Sequence, residues 1–397
     1  MTTPLSFFAT TAKGMEALLA SELLEFGASD IAPTRAGVAF KGDIKIAYRA
    51  CLWSRVANRV LLPLKTFPAP TPEKLYGGAK SIRWSDHLSP KETFAVEFSS
   101  TDSAITHTHF GALKVKDALV DQLRSVQGSR PDVDSINPQI RVNVYLYQDV
   151  ATVSLDLSGE SLHRRGYREQ GTAAPLKENL AAAILALANW KEAAKTGGAF
   201  MDPMCGSGTL PIEAAMIAAR RAPGLMRETY GFTHWLGHEP KIWEELLEEA
   251  RDLEIKDKKL LPTIVGYDED FKAVRVALAN VERAGFHGRV HIEKRALAEC
   301  EPIAEKGVIV LNPPYGERLG ELEALKPLYE SIGETFKKKF SGWSGFVFTG
   351  SRELSHEIGL RPKRRHVLYN GAMECRLLQY ELYKGSKEQP PKEPAPT

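Results

Sequence analysis

From Gly198 onward the chain repeats one unit: a short apolar run, a sharp turn, then a helical stretch. The runs are AFMDPMCGSG, TIVGYDED, VIVLNPPY and SGFVFTG, each followed by a segment of helical periodicity. Apolar runs of this length read as strands buried on both faces, and strands that alternate with helices require crossover connections. The outcome is a mostly parallel, doubly wound α/β sheet. Near the end, HVLYNGAMECRLLQYELY places Asn370-Gly371 between two strand-like runs, the strongest two-residue hairpin signal, so an antiparallel hairpin should close one edge. In such a sheet ligands bind at the carboxyl ends of the strands, and the search for chemistry belongs there.

The first 160 residues read differently. Residues 13–26, KGMEALLASELLEF, carry Met15, Leu18, Leu19, Leu23 and Phe26 at helical spacing with Gly27 as a stop, GVAFKG reads as a strand, and IKIAYRACLWSRVANRVLL as a second amphipathic helix. TFAVEF, RVNVYLYQD and ATVSLDLSG alternate apolar and polar residues, with the helical HFGALKVKDALVDQLRSV after the first and a hairpin expected between the last two. This predicts a compact α+β region, then a connector, SLHRRGYREQGTAAPLKENLAAAILALANW. There Arg164, Arg165 and Arg168 surround Tyr167, which suits either RNA contact or packing against a neighbour.

At 397 residues the chain exceeds what one core organises, so two or three domains are expected. The polar, proline-rich residues from 385 onward should be disordered. No apolar run approaches a membrane span, and the opening MTTPLSFFATTAKG lacks the pattern of a secretory signal, so a cytoplasmic protein with no membrane partner is expected. Cys51, Cys205, Cys300 and Cys375 form no ligand or disulfide spacing, which predicts neither a zinc site nor a disulfide framework, and no metal. The net charge of +2 is ordinary, but between Lys337 and Lys384 ten Lys and Arg face four Glu. The run RPKRRH at 361–366 could track phosphates or form a solvated loop before a strand.

Three turns carry the chemistry. After Ala199-Phe200-Met201 comes Asp202-Pro203-Met204-Cys205-Gly206-Ser207-Gly208-Thr209, whose two glycines admit a close ligand in front of a helix N-terminus. The full GxGxxG fingerprint is absent, since Pro211 holds the third position, and so is a GxxxxGK[ST] loop. At the end of the second strand Asp268 can accept ribose hydroxyls or cap the next helix, a capping role that Asp270 could equally take. The third turn, Asn312-Pro313-Pro314-Tyr315, places an amide oxygen and a backbone carbonyl at Pro313 as rigid acceptors beside an aromatic ring. That set complements the two N–H donors and flat face of an exocyclic nucleobase amine.

In that order DPMCGSGTLPIEAA, GYDEDF and NPPYGERLG resemble class I S-adenosylmethionine-dependent amino-methyltransferases. With LHRRGYR, APLKENLAAAIL and LYNGAMECRL added, residues 1–384 resemble the THUMP-domain RNA guanine-N2 methyltransferases of the bacterial 23S ribosomal RNA type. The resemblance implies a Rossmann-like methyltransferase domain at 166–384, preceded by a ferredoxin-like unit at 1–65 and a THUMP RNA-binding domain at 66–165. It implies S-adenosyl-L-methionine as cofactor, held by Pro175, Leu176, Lys177, Asp202, Gly206, Ser207, Gly208, Thr209, Asp268 and Asn312. Asn312, Pro313, Pro314 and Tyr315 would hold the target base, and the partner would be RNA, 23S ribosomal RNA or a large-subunit precursor. One departure is Ala296 in HIEKRALAEC, where such enzymes often place an Asp near the adenine amine. Transfer RNA, a DNA amine or a non-catalytic assembly role stay open as alternatives, as does oligomeric state.

Overall fold

The computed structural model describes residues 4–168, 176–316 and 319–383. The chain divides into two compact units. The first holds β1 (Leu5–Thr10), α1 (Glu16–Glu25), β2 (Ser29–Thr34), β3 (Gly37–Gly42), α2 (Ile44–Trp53), β4 (Arg59–Pro68), α3 (Pro72–Lys80), β5 (Phe94–Thr101), α4 (Thr108–Gln127), β6 (Ile140–Tyr147) and β7 (Val150–Asp156). Its seven strands follow the order β2-β3-β1-β4-β7-β6-β5, antiparallel except for the β5–β6 pair. Phe7 and Phe40 face each other in register and stack at 5.3 Å, while Leu19 and Leu23 bring α1 onto the buried side.

One sequence expectation fails here. The predicted helix through Leu62 ends at Trp53, and Arg59–Pro68 is instead β4, at the centre of the sheet between β1 and β7. Val60, Leu61 and Leu62 form a continuous apolar run that carries neither period, so periodicity cannot separate a buried helix segment from a two-sided buried strand. The break is made by Ser54, which turns extended, accepts from the Ala57 N–H at 3.0 Å and donates to the half-buried Glu22 carboxylate at 2.6 Å.

Of the connector's described residues, Arg164 is exposed, whereas Arg165, Tyr167 and Arg168 pack. Arg165 and Tyr167 are buried, Arg165 donates to the Leu162 carbonyl at 2.6 Å, and Arg168 lies 3.8 Å from Glu178 on α5 (Glu178–Leu187). Residues 220–254, which sequence order places inside 166–384, belong to the first unit. Most of that stretch is the helix α8 (Pro240–Leu253) and the turns before it. There Trp243 joins Tyr230, Phe232 and Tyr48 of α2 in one aromatic group, and Arg49 pairs with Glu249 at 2.9 Å.

The second unit includes Leu176, resumes at Ile184 within α5 and carries α6 (Trp190–Lys195), β8 (Ala199–Asp202), α7 (Thr209–Ala218), β9 (Ile264–Asp268), α9 (Phe271–Arg283), β10 (Val290–Lys294), β11 (Gly307–Leu311), α10 (Leu319–Lys339), β12 (Ser344–Thr349), α11 (Arg352–Glu357), β13 (Arg364–Asn370) and β14 (Met373–Glu381). The strand order is β10-β9-β8-β11-β12-β14-β13, parallel through β12 and then antiparallel, as the periodicity and Asn370-Gly371 predict. Alternate residues divide the sheet's two faces. Met201, Val265, Tyr267, Ile309 and Leu311 join a core with Tyr329, Phe336 and Leu354 of α10 and α11. Phe200 turns to the other face, where it meets Trp190 at 5.3 Å. Because β9, β8 and β11 are parallel neighbours, the turns after Asp202, Asp268 and Leu311 emerge at one edge. No described helix is long and apolar enough to cross a membrane.

Candidate active site at the strand ends

β8 is buried along its whole length and delivers Asp202, 1% exposed, to the start of the glycine turn. One Asp202 oxygen accepts the Met204 N–H at 3.1 Å. Burial pushes this carboxyl well above the usual range, the nearby Asp268 charge pushes it further, and the Met204 bond opposes both. Gly206 has φ +52° with open space where a side chain would begin, so a ligand can approach its backbone. Gly208 has φ +81° and caps α7, and a Cβ there would meet Ala277 at 3.2 Å.

The loop is tied down by its own neighbours. Asp268 accepts the Gly206 N–H through one oxygen and the Asp270 N–H through the other, both at 2.9 Å. Asp270, not Asp268, is the cap of α9, accepting the Lys272 N–H at 2.9 Å. A carboxylate has about four lone-pair sites, so Asp268 retains capacity for hydroxyl donors. Asn280, fully buried on α9, donates to the Ser207 carbonyl at 2.8 Å and is itself held by Arg283 at 2.6 Å. Sequence reasoning missed Asn280. Its signal is an amide among Val274, Ala277 and Val281 on the apolar face of an amphipathic helix.

A cavity of about 390 Å³ lies over these turns. Of the residues singled out from the sequence, Leu176, Asp202, Gly206, Ser207, Thr209 and Asn312 line it. Asp270, singled out as a helix cap, also lines it, and Met204, Cys205, Leu210, Lys272, Ala273 and Val276, which complete the walls, were not foreseen. Gly208, Asp268, Pro313, Pro314 and Tyr315 are not part of the lining. Lys177 is exposed and belongs with the first unit, and Pro175 lies outside the described residues. The donors fit a cationic nucleoside cofactor: a buried carboxyl at Asp202, small glycines for close approach, apolar Leu176, Ala273 and Val276, and a helix N-terminus for a carboxylate.

The third turn stands apart. The Asn312 amide oxygen is buried with no hydrogen-bond partner among the described residues, although its side chain borders the cavity. Buried polar atoms are nearly always paired, so this acceptor stays available for a donor beyond the described residues. Behind it the turn is held firmly. The Tyr329 hydroxyl donates to the Pro314 carbonyl at 3.2 Å and contacts Thr349 at 2.8 Å, while the Asn370 amide donates to the Tyr315 hydroxyl at 3.1 Å. At Ala296 a one-turn helix begins, with the Ala296 N–H donating to the Glu299 carboxylate at 3.3 Å, and Arg295 stacks over Tyr267 at 4.4 Å. Ala296, Glu299 and Arg295 do not line the cavity.

Comparison with known proteins gives the family. Residues 165–379 match the RMKL-like methyltransferase domain, residues 6–61 the RlmL ferredoxin-like domain and residues 69–156 the THUMP domain. A Methylococcus capsulatus protein named ribosomal RNA large subunit methyltransferase K/L is 52% identical over 376 residues, 95% of this chain and 51% of its own length. A protein of the same name from Syntrophotalea carbinolica is 49% identical over 386 residues, 96% of this chain and 54% of its own. The chain thus spans about half the length of the curated relatives it matches. Among solved structures, a chain complexed with SAH has a TM-score of 0.86 at 32% identity and covers 98% of this chain and 100% of its own. A Listeria monocytogenes chain described as a predicted N6-adenine-specific DNA methylase has a TM-score of 0.84 at 31% identity, covering 95% and 96%. On the strength of a match over more than half its length, this chain belongs to the family that carries the RMKL-like methyltransferase domain.

Proposed function

We propose that the chain transfers the methyl group of S-adenosyl-L-methionine to the exocyclic N2 amine of a guanine in structured RNA. The substrate is 23S ribosomal RNA or its large-subunit precursor, in the cytoplasm. The observation that carries the reading is the buried Asn312 oxygen, without a partner among the described residues, at the edge of a cavity whose lining suits a nucleoside. The RNA assignment is supported by the THUMP match and by relatives named for large-subunit ribosomal RNA.

The cofactor supplies an electrophilic methyl group; the remainder falls to this chain. Asp202, the Gly206–Thr209 turn and Leu176 would hold the cofactor, and Asp268, which fixes that turn, would accept ribose hydroxyls. The target guanine leaves its stack to reach the site. Asn312 Oδ1 and the Pro313 carbonyl accept the two N–H bonds of its amine, and Tyr315 offers a ring to the base. With both hydrogens engaged, the nitrogen is directed to present its lone pair to the methyl carbon. The methyl carbon would exchange its bond to sulfur for one to this nitrogen, and the nitrogen would release its surplus proton to water. No strong base is required, since alignment and preorganised acceptors do the work.

The test is transfer of radiolabelled methyl from S-adenosylmethionine to deproteinised large-subunit RNA, to transfer RNA and to genomic DNA, followed by nucleoside analysis. N2-methylguanosine in large-subunit RNA is the expected product. N6-methyladenine in DNA, the activity in the Listeria chain's description, would replace this reading. No label together with no cofactor binding would leave only an RNA-docking role.

A further inference from the structure

The second unit has another hollow, of about 520 Å³, that the methyl-transfer site does not use. Arg352, His356, Arg361, Arg365, Arg376 and Leu378 line it. Strand register builds its floor: Arg365 lies opposite Leu378 and Val367 opposite Arg376, so Arg365, Arg376 and Leu378 share one face of the hairpin. Arg352 and His356 come from α11, and Arg361 from the loop that leads into β13.

The charges there are unbalanced. Arg376 has Glu374 at 3.8 Å, whereas Arg352, Arg361 and Arg365 are exposed and make no ion pair among the described residues. Four guanidiniums around one concavity repel one another and focus positive potential into it, and their planar forks match phosphate oxygens. Loose surface arginines would spread into solvent, but these share one lining.

The hollow also leads somewhere. A smaller one of about 120 Å³ shares Arg352, Ser355 and Arg376 with it and continues to Thr349 and Gly350. Gly350 sits against the target-base turn, since a Cβ there would meet the Tyr315 ring at 3.1 Å. At about 3.3 Å per strand residue, Arg376 lies roughly 10 Å along β14 from Met373, and the Arg365–Leu378 pair roughly 17 Å. A strand of RNA whose base reaches Asn312 would lay its next few phosphates along this line.

We propose, resting on the RNA-methyltransferase reading above, that this arginine hollow grips the phosphodiester backbone beside the target nucleotide. The full chain and an R352Q/R361Q/R365Q variant are titrated with deproteinised large-subunit RNA across a salt series, with SAH affinity measured in parallel by calorimetry. Each phosphate contact contributes about 0.7–0.9 to the slope of log affinity against log salt, so the variant should lose roughly two units of slope and tenfold or more in affinity. Its SAH affinity and its kcat at saturating RNA should hold, and an R352K/R361K/R365K variant should recover the slope. Unchanged slope and affinity in the Gln variant, with the unaltered chain binding RNA, would overturn the hollow alone. Failure of the unaltered chain to bind RNA at any salt would overturn both this assignment and the RNA reading.

Discussion

The strand ends of β9 and β11 flank β8 on either side, yet they treat their acceptors in opposite ways. After β9, Asp268 has both oxygens occupied by backbone N–H groups, Asp270 caps a helix, and Asn280 fixes the glycine turn from behind. After β11, the backbone is equally well held through Tyr329, but the Asn312 oxygen points at no donor among the described residues. The difference teaches where each half of the site gets its order. In the proposed reading, the cofactor side is set by the chain itself, whereas the reaction side withholds one acceptor whose desolvation would be recovered only when an N–H arrives.

The hardest way to break that contrast is Asn312→Ala. If the free acceptor acts on the amine in the transition state, kcat should fall by about 10²–10³ or more, as on losing a preorganised polar group. RNA affinity and SAH affinity should stay within a few-fold of the unaltered chain. Lost RNA binding with normal turnover of what remains bound would place Asn312 in docking instead.

Asp202 sharpens the cofactor side through pH. Its carboxyl is raised by burial first and by Asp268 second, so from about pH 4 upward the folded chain keeps a proton that the unfolded chain has released. The unfolded state then binds fewer protons, and this group lowers stability as pH rises through that window. A cationic cofactor favours the ionised form. S-adenosylmethionine should therefore bind more tightly as pH rises, with proton release. Asp202→Asn should bind it roughly tenfold to a hundredfold more weakly, the size of a charge-assisted hydrogen bond, and without proton release. Calorimetry in buffers of different ionisation enthalpy reads both. Pre-wiring of the glycine turn predicts a loss of stability instead: Asn280→Ala strands the Ser207 carbonyl, which should destabilise the chain by about 1–3 kcal/mol in denaturant unfolding.

The parallel sheet, its hairpin edge and the three turns were legible because each rests on a local signal: two-sided apolar runs, Asn370-Gly371, and residues that interrupt a strand. β4 was not, since the continuous run Val60, Leu61 and Leu62 carries neither period. Nor was the placement of 220–254 with the first unit, because an amphipathic helix such as α8 states that it needs a partner without saying which. At the site, Asn312 declared itself by preceding two prolines. Asn280 was hidden inside an ordinary helix, and Lys177 was carried along by adjacency to Leu176, which alone of that described pair lines the cavity.

Tyr315 separates what a ring does from what a hydroxyl does, and its expected effect is the smallest. The hydroxyl accepts from Asn370 at the hairpin tip, so it anchors the turn while the ring faces Gly350. Burial raises this phenol above its ordinary range, and the Asn370 bond opposes the shift, so the hydroxyl stays protonated at neutral pH and acts as a neutral group. Tyr315→Phe removes one neutral hydrogen bond, worth about 0.5–1.5 kcal/mol, and should lower kcat/KM by about tenfold at most. If the ring positions the base, Tyr315→Ala should fall much further toward Asn312→Ala, because it removes the aromatic face as well. Equal losses for Phe and Ala would mean that the hydroxyl anchor, rather than the ring, sets the geometry of the reaction side.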